Sequence, residues 1–531
     1  MKRRSFIKNA TVSAAIPSLF GTMGIKAFGY SPLLGLLNEA YTDTDHVLVV
    51  IRLSGGNDGL NTVIPLDQYS NLSTARANIL INETQVLKLN GVTGTGLNPA
   101  MTGMQTLFNE GKVKIVQGVS YPNQSYSHFR ATDIFMSASD SDKVVTTGWA
   151  GRYLGNEYPN YPLNFPNTTM PDPLAIQMND MTLTFAGQNT LMGITISDPD
   201  NPYAFFTDPN QAALPVNMAN ELSYLQTVAK QADKYGTGVK AAYDRAANTV
   251  TYPANNQLSP QLSKIARLIK GGLKTRIYMV QMGSFDTHSN QVVATDHATG
   301  NQANLLQQLS EAVLAFQRDL EGMKIQDRVM SMTFSEFGRR IISNASGGTD
   351  HGAAYPMFVI GSKIKGGMLG VNPTIPNGAT VNSNLPMQYD FRSVYGSILK
   401  DWFCINSTDL NTVMLGSAAG LQNLPIINTQ NCNNSLSDSH DLNNAAGLNI
   451  VSNYPNPFDF GTTIKFETLG GYTMVQIFDT EGQIVAVPVE GNYAPGKYEV
   501  YYNGGYLPSG IYYLRFQDST YSQVKIMSKV R

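Results

Sequence analysis

Five short apolar runs, separated by stretches of helical periodicity, leave this chain few folds. The runs cover residues 46–53, 112–118, 276–282, 328–334 and 356–360 and read as strands. Helices are predicted over 104–110, 128–137, 216–246, 260–269, 302–323 and 390–403. Strands alternating with helices give an α/β domain, because each apolar sheet face needs a layer of helices to cover it. In the helix from Gln302, residues Leu305, Leu306, Leu309, Val313, Leu314 and Phe316 share one side. That stripe is core, with the helix lying on the sheet.

With 531 residues the chain exceeds one ordinary core, and its composition changes along its length. Residues 428–449 are rich in Asn, Ser and Asp and have little to bury, so they read as a linker. Short alternating β-rich segments follow, broken by turns at Glu481-Gly482, Pro495-Gly496 and Pro508-Ser509-Gly510. Six strands at that spacing make a small β-sandwich. A hydrophobic fraction of 42% with 14% charge describes a folded protein, and a net charge of -2 offers no footprint for nucleic acid.

The N-terminus, Lys2-Arg3-Arg4-Ser5-Phe6, precedes a weakly apolar segment and looks like a twin-arginine export signal over residues 1–29. That route carries folded proteins through the periplasm, often with a cofactor or metal already loaded. A short membrane anchor is the other reading, although Pro17 and Lys26 make the segment marginal for spanning. No other run is long enough to cross a bilayer. The two cysteines, Cys404 and Cys432, fit a disulfide in an exported protein, and two unpaired thiols remain open. The polar stretch 197–215 has the length and composition of a lid or specificity loop.

Only six histidines are present, and three stand beside acids or a serine just after strand-like runs: Asp286-Thr287-His288, Asp350-His351 and Ser127-His128. Gly55-Gly56-Asn57-Asp58 follows the first strand, and Ser335-Glu336 follows the strand ending at Phe334. In open α/β sheets ligands bind beyond the carboxyl ends of the strands, so these groups can meet in one crevice. Carboxylates and neutral imidazoles bind divalent cations, which makes a metal site the expectation. The double glycine lacks the spacing and the Lys-Ser/Thr ending of a phosphate loop. Ser127 begins a predicted helix, where it serves either as a nucleophile favoured by free backbone N–H groups or as an N-cap. Arg339 and Arg340 are candidates to pair with Glu336 and turn it from a metal. His46, His297 and His440 read as structural or loop residues.

The tail wording Asn453-Tyr454-Pro455-Asn456-Pro457-Phe458, Val475-Gln476-Ile477-Phe478-Asp479 and Leu507-Pro508-Ser509-Gly510-Ile511-Tyr512-Tyr513 closely resembles the type A C-terminal sorting domain of the type IX secretion system. The motifs Leu53-Ser54-Gly55-Gly56-Asn57-Asp58-Gly59, Ser127-His128-Phe129, Gly148-Trp149-Ala150-Gly151-Arg152, Phe285-Asp286-Thr287-His288, Ser335-Glu336-Phe337-Gly338-Arg339 and Thr349-Asp350-His351-Gly352 resemble the DUF1501 family, placed among alkaline phosphatase and sulfatase-like folds. The resemblance implies a three-layer α/β sandwich with a central mostly parallel sheet over 40–425, a linker over 426–449 and the sorting domain over 450–531. It further implies hydrolysis of phosphate or sulfate esters with divalent metal ions (Zn, Ca, Mg or Mn). Asp58, Asp286, His288, Glu336 and His351 would be metal ligands, and Ser127, His128 and Arg152 catalytic residues, Arg152 holding the anion. Phe337 stands where the superfamily has a histidine, which puts one ion in doubt and leaves a non-catalytic surface binding protein as the alternative. The expected partners are an ester substrate and the twin-arginine and type IX machineries, with release or attachment at the cell surface.

Overall fold

A computed structural model describes residues 45–159, 161–162, 165–188, 190–197 and 235–428, and 451–530 apart from the turns at 469–470, 480–482, 495 and 518–521. The export-signal segment, the stretch 198–215, most of the linker, Cys432 and His440 lie outside the described residues. Two compact units are separated, Thr42–Ser437 and a C-terminal one beginning at Asp438.

The first unit is built on strands β1 (Val47–Leu53), β2 (Val113–Ser120), β3 (Ala175–Met178), β4 (Ile194–Ile196), β5 (Ile277–Met282), β6 (Val329–Phe334), β7 (Arg339–Ser343), β8 (Thr349–His351), β9 (Tyr355–Gly361), β10 (Gly367–Leu369) and β11 (Tyr389–Asp390). Nine of them form one sheet in the order β10-β2-β9-β6-β1-β5-β3-β4, with β11 added beside β2. β1 runs parallel to β5 and β6, and only β9 is antiparallel to its neighbours. β7 and β8 pair as a separate hairpin.

β1 reads VLVVIRL without polar alternation because both its faces are covered. Val47, Val49, Ile51 and Leu53 join one apolar core, and Leu48 and Val50 join the other. The first core receives α1 (Thr102–Asn109), α4 (Ser259–Lys270) and α5 (Asn301–Gly322), the second α2 (His128–Ser137), α3 (Trp149–Glu157) and α6 (Phe391–Asp401). The result is the expected three-layer α/β sandwich around a mostly parallel sheet. The α5 stripe is core as read from its periodicity: Leu305, Leu306, Leu309, Val313 and Phe316 are buried. Each such side chain contributes about 1.5–3 kcal/mol of transfer free energy. Among the described residues no helix is long and apolar enough to cross a membrane.

Four strands of this sheet were not expected, β3, β4, β10 and β11, all of four residues or fewer. Cys404 is disulfide-bonded, and the only other cysteine in the sequence is Cys432. Among its described residues the C-terminal unit has seven strands where six were expected, in a sheet of three (Val451–Tyr454, Gly461–Thr468, Gly496–Asn503) and a sheet of four (Ile484–Tyr493, Gly471–Phe478, Gly510–Gln517, Ser522–Lys529). They enclose one core containing Ile464, Phe466, Val475, Ile477, Leu514 and Phe516, the expected small antiparallel sandwich.

Candidate metal centre

Strand direction decides which residues can meet. β1, β2, β5 and β6 all run toward one sheet edge, so the segments after them, carrying Gly55, His128, Asp286 and Glu336, emerge together there. β9 runs the opposite way, so the segment entering it delivers His351 to the same edge. Two close backbone approaches complete the assembly. Gly55 sits at φ +126°, and a Cβ there would lie 2.3 Å from the Asp286 backbone nitrogen. At Gly348, in the β7–β8 turn, a Cβ would lie 2.4 Å from the Thr287 carbonyl. Backbone bonds from Thr349 N to Thr287 O (3.1 Å) and from Gln291 N to Gly347 O (2.9 Å) fix the hairpin against the loop after β5.

His128, Asp286 and His351 offer ligand atoms that all lie within 4.8 Å of one another. His128 Nε2 is 3.5 Å from Asp286 Oδ2, and His351 Nε2 is 3.5 Å from Asp286 Oδ1. His288 Nε2 stands 3.1 Å from the same Oδ1 and 2.9 Å from His351 Nε2. Each imidazole turns its Nδ1 to an acceptor. His128 faces Glu336 Oε1 (2.9 Å), His288 faces Asp350 Oδ1 (3.1 Å) and His351 faces the Tyr126 carbonyl (2.8 Å). Those oxygens accept, so each Nδ1 carries a hydrogen and each ring turns its Nε2 inward. Outer partners of this kind fix ring orientation in metal sites.

Charge follows from the same contacts. The Glu336 bond holds the His128 imidazole above its usual pKa against partial burial. Burial lowers that of His351, the Tyr126 carbonyl opposing. For Asp286, burial favours the neutral acid, but the hydrogen bond and charge of Arg339 outweigh it and hold the carboxyl below the usual range. The Asn344 amide, followed by His288, does the same for Asp350. Arg339 is itself buried and spends its donors on Gly55 O, Gly56 O (2.7 Å), Thr349 O (2.8 Å) and Asp286 Oδ1 (2.7 Å). It therefore pairs with Asp286, not with Glu336. Phe337 is buried, with its ring 4.9 Å from that of His128 and 4.4 Å from that of His351, an apolar wall behind the two imidazoles.

Three expected site residues are placed differently. Asp58, expected as a ligand, is fully buried against Arg76 at 2.9 Å, caps the helical turn Gly59–Thr62 through Leu60 N, and accepts from Gln291 Nε2 at 2.7 Å. Its charge is already matched. Glu336 stands behind His128: Oε1 accepts from Gly55 N at 2.8 Å as well as from His128, and the buried Oε2 has no hydrogen-bond partner. Arg152 does not join the centre. Its guanidinium donates to Val413 O, Thr147 O and Oγ1, and Ser137 O, and burial lowers its pKa to about 10. Asp350 orients His288 and not its chain neighbour His351. Tyr126 was missed altogether, since a carbonyl contribution leaves no mark in residue type. Ser127 occupies the N-cap position of α2, but its side chain makes no capping bond. His46 stacks on Trp402 and His297 bonds to Leu80 O, both outside the centre.

Residues 121–386, half of the chain, match the family described as "Protein of unknown function (DUF1501)". The chain belongs to the DUF1501 family. This DUF1501 protein also carries a secretion system C-terminal sorting domain, matched over residues 452–529, which supports export. No curated protein matches it. Solved structures similar to it include a protein of the alkaline phosphatase superfamily from Vibrio parahaemolyticus, with 10% identity, 63% of this chain and 64% of that one covered, and a TM-score of 0.29. The lipoteichoic acid synthase of Listeria monocytogenes gives 8% identity, coverages of 64% and 72%, and a TM-score of 0.26. An alkaline phosphatase from an Antarctic bacterium gives 10%, 59% and 91%, with a TM-score of 0.23. The DUF1501 protein thus spans just under two thirds of the Vibrio protein, and similarity at these levels specifies neither activity nor ligand.

Proposed function

We propose that this protein is an exported, metal-dependent hydrolase of phosphate or sulfate esters. The observation that carries the reading is the convergence of His128, Asp286 and His351 at one sheet edge, beside a helix-start serine whose hydroxyl makes no capping bond. The donor set fits a divalent ion, and the buried Glu336 Oε2 behind His128, without a hydrogen-bond partner, adds negative charge near it. Such an ion, when bound, supplies Lewis-acid polarisation of the ester oxygens.

The chain's own residues would do the rest. Ser127 Oγ attacks phosphorus or sulfur, a covalent ester forms as the alcohol departs with the hydroxyl proton, and water later releases the acid. The first backbone N–H groups of α2, free of intrahelical partners, face the developing negative charge. Glu336, Asp350 and the Tyr126 carbonyl hold the three rings in register. Asp286 is half exposed, so solvent and substrate have a way in.

The pairing of Asp58 with Arg76 favours a second reading, a surface binding protein that keeps the fold without the chemistry. Turnover of aryl phosphates and aryl sulfates by the full-length protein separates the two. A hydrolase loses turnover on chelation and, in Ser127→Ala, loses about 10³-fold or more in kcat. Absence of turnover in protein shown to be metal-loaded would favour the binding protein, and turnover indifferent to chelator would rule out a metal-dependent reaction.

A further inference from the structure

We infer that the centre binds a single zinc-class ion, with His288 as a ligand beside His128, Asp286 and His351, and has no second divalent site. The inference deepens the hydrolase reading and rests on it only for location. His288 Nε2, His351 Nε2 and Asp286 Oδ1 lie 2.9–3.5 Å from one another. Donors around a zinc ion at its usual bond lengths stand about 3.3 Å apart. With each Nδ1 turned outward to Glu336, Asp350 or the Tyr126 carbonyl, the Nε2 atoms of His288 and His351 face each other and the Asp286 carboxylate, and His128 Nε2 approaches the same carboxylate at 3.5 Å. Basic atoms packed so closely need a proton or a metal cation among them, and their spacing is that of donors around one ion. Three imidazoles and one carboxylate select a borderline ion such as Zn²⁺ over Mg²⁺ or Ca²⁺, which take oxygen ligands.

Charge limits the number of ions. Asp286 is paired with Arg339, Arg52 acts on Glu336 and Arg340 on Asp350, and Asp58 is balanced by Arg76, so little negative charge is left to hold more than one divalent ion. A second divalent ion would find one buried carboxylate oxygen without a hydrogen-bond partner, Glu336 Oε2, and one such oxygen does not make a site for an ion that takes about six or more oxygen ligands. Solvent retains access, since the His288 side chain is 42% exposed and that of Asp286 45%.

The test is calorimetric titration of chelator-stripped full-length protein with Zn²⁺, Mg²⁺ and Ca²⁺, together with the visible spectrum of the Co²⁺-loaded form. Expected are one equivalent of Zn²⁺, at least about tenfold preference over Mg²⁺ and Ca²⁺, and an intense low-coordinate Co²⁺ spectrum. In His288→Ala, a half-exposed position where folding should survive, Zn²⁺ affinity falls by about 100-fold or more and the Co²⁺ spectrum changes. In Asp350→Asn the loss is about tenfold. Two equivalents of Zn²⁺, a preference for Mg²⁺ or Ca²⁺, or wild-type Zn²⁺ affinity in folded His288→Ala would overturn the inference. One tightly bound zinc without ester turnover would leave it standing and remove the hydrolase reading; two ions with turnover would do the reverse.

Discussion

The Asp58–Arg76 pair offers the sharpest check on how this edge is built. Both side chains are buried, and Arg76 also donates to Ile341 O at 3.0 Å and Arg340 O at 2.8 Å, so its charge is held among carbonyls with Asp58 as its counterion. Replacing one partner of such a pair leaves an uncompensated buried charge, which costs about 3–5 kcal/mol. For a unit spanning Thr42–Ser437, the entropy of unfolding is on the order of 0.8 kcal/mol/K. Asp58→Asn should therefore lower the melting temperature of the metal-free body by roughly 4–6 °C. The double variant Asp58→Asn/Arg76→Met should recover about 2 kcal/mol relative to the sum of the single changes. Both tryptophans, Trp149 and Trp402, are buried in the body, so fluorescence follows its unfolding without interference from the C-terminal unit. An Asp58→Asn variant with parental stability and lost metal binding would refute the reasoning, because Asp58 would then be a ligand and not a counterion.

Other outcomes follow from the same geometry. Gly55→Ala forces a Cβ onto the Asp286 backbone at a positive φ, and should cost about 2 kcal/mol or more and weaken Zn²⁺ binding about tenfold, measured by urea unfolding and calorimetry. The hydrogen bond from Arg318, aided by Lys112, depresses the Glu110 pKa to about 2 from an ordinary 4.5. Its contribution is therefore complete above pH 4.5 and disappears as pH falls toward 2. Because these side chains are about a third exposed, Glu110→Gln should cost only about 0.5–1 kcal/mol at pH 6. The gap between wild type and variant in urea midpoint should close between pH 4.5 and 2, and a gap that widened with acid would contradict the assignment.

The fold was legible because burial writes itself into sequence. A strand covered on both faces must be apolar throughout, as 47–53 is, and a helix lying on a sheet must repeat its apolar residues at helical spacing, as 301–322 does. Strands such as Gly367–Leu369 and Tyr389–Asp390 left no such signal, because a two- or three-residue strand takes its place from register with β2 rather than from its own pattern. The site was legible in part. The rarity of histidine and its placement after apolar runs pointed to Asp286, His288, His351 and His128, whereas residue type could not distinguish ligand from counterion.

By itself, then, the sequence determined the layers, the tail sandwich and the small set of polar residues delivered to one sheet edge, since periodicity and strand order are local and burial is one-dimensional in its demands. Partnership was decided only in three dimensions. Asp58 meets Arg76, Arg152 meets carbonyls, Arg339 takes Asp286, and a carbonyl from Tyr126 sets the tautomer of His351. Each of these depends on which charge or lone pair stands within about 3 Å once the loops have packed, and electrostatic interactions in a partly buried site are strong enough at that distance to reassign a residue's role.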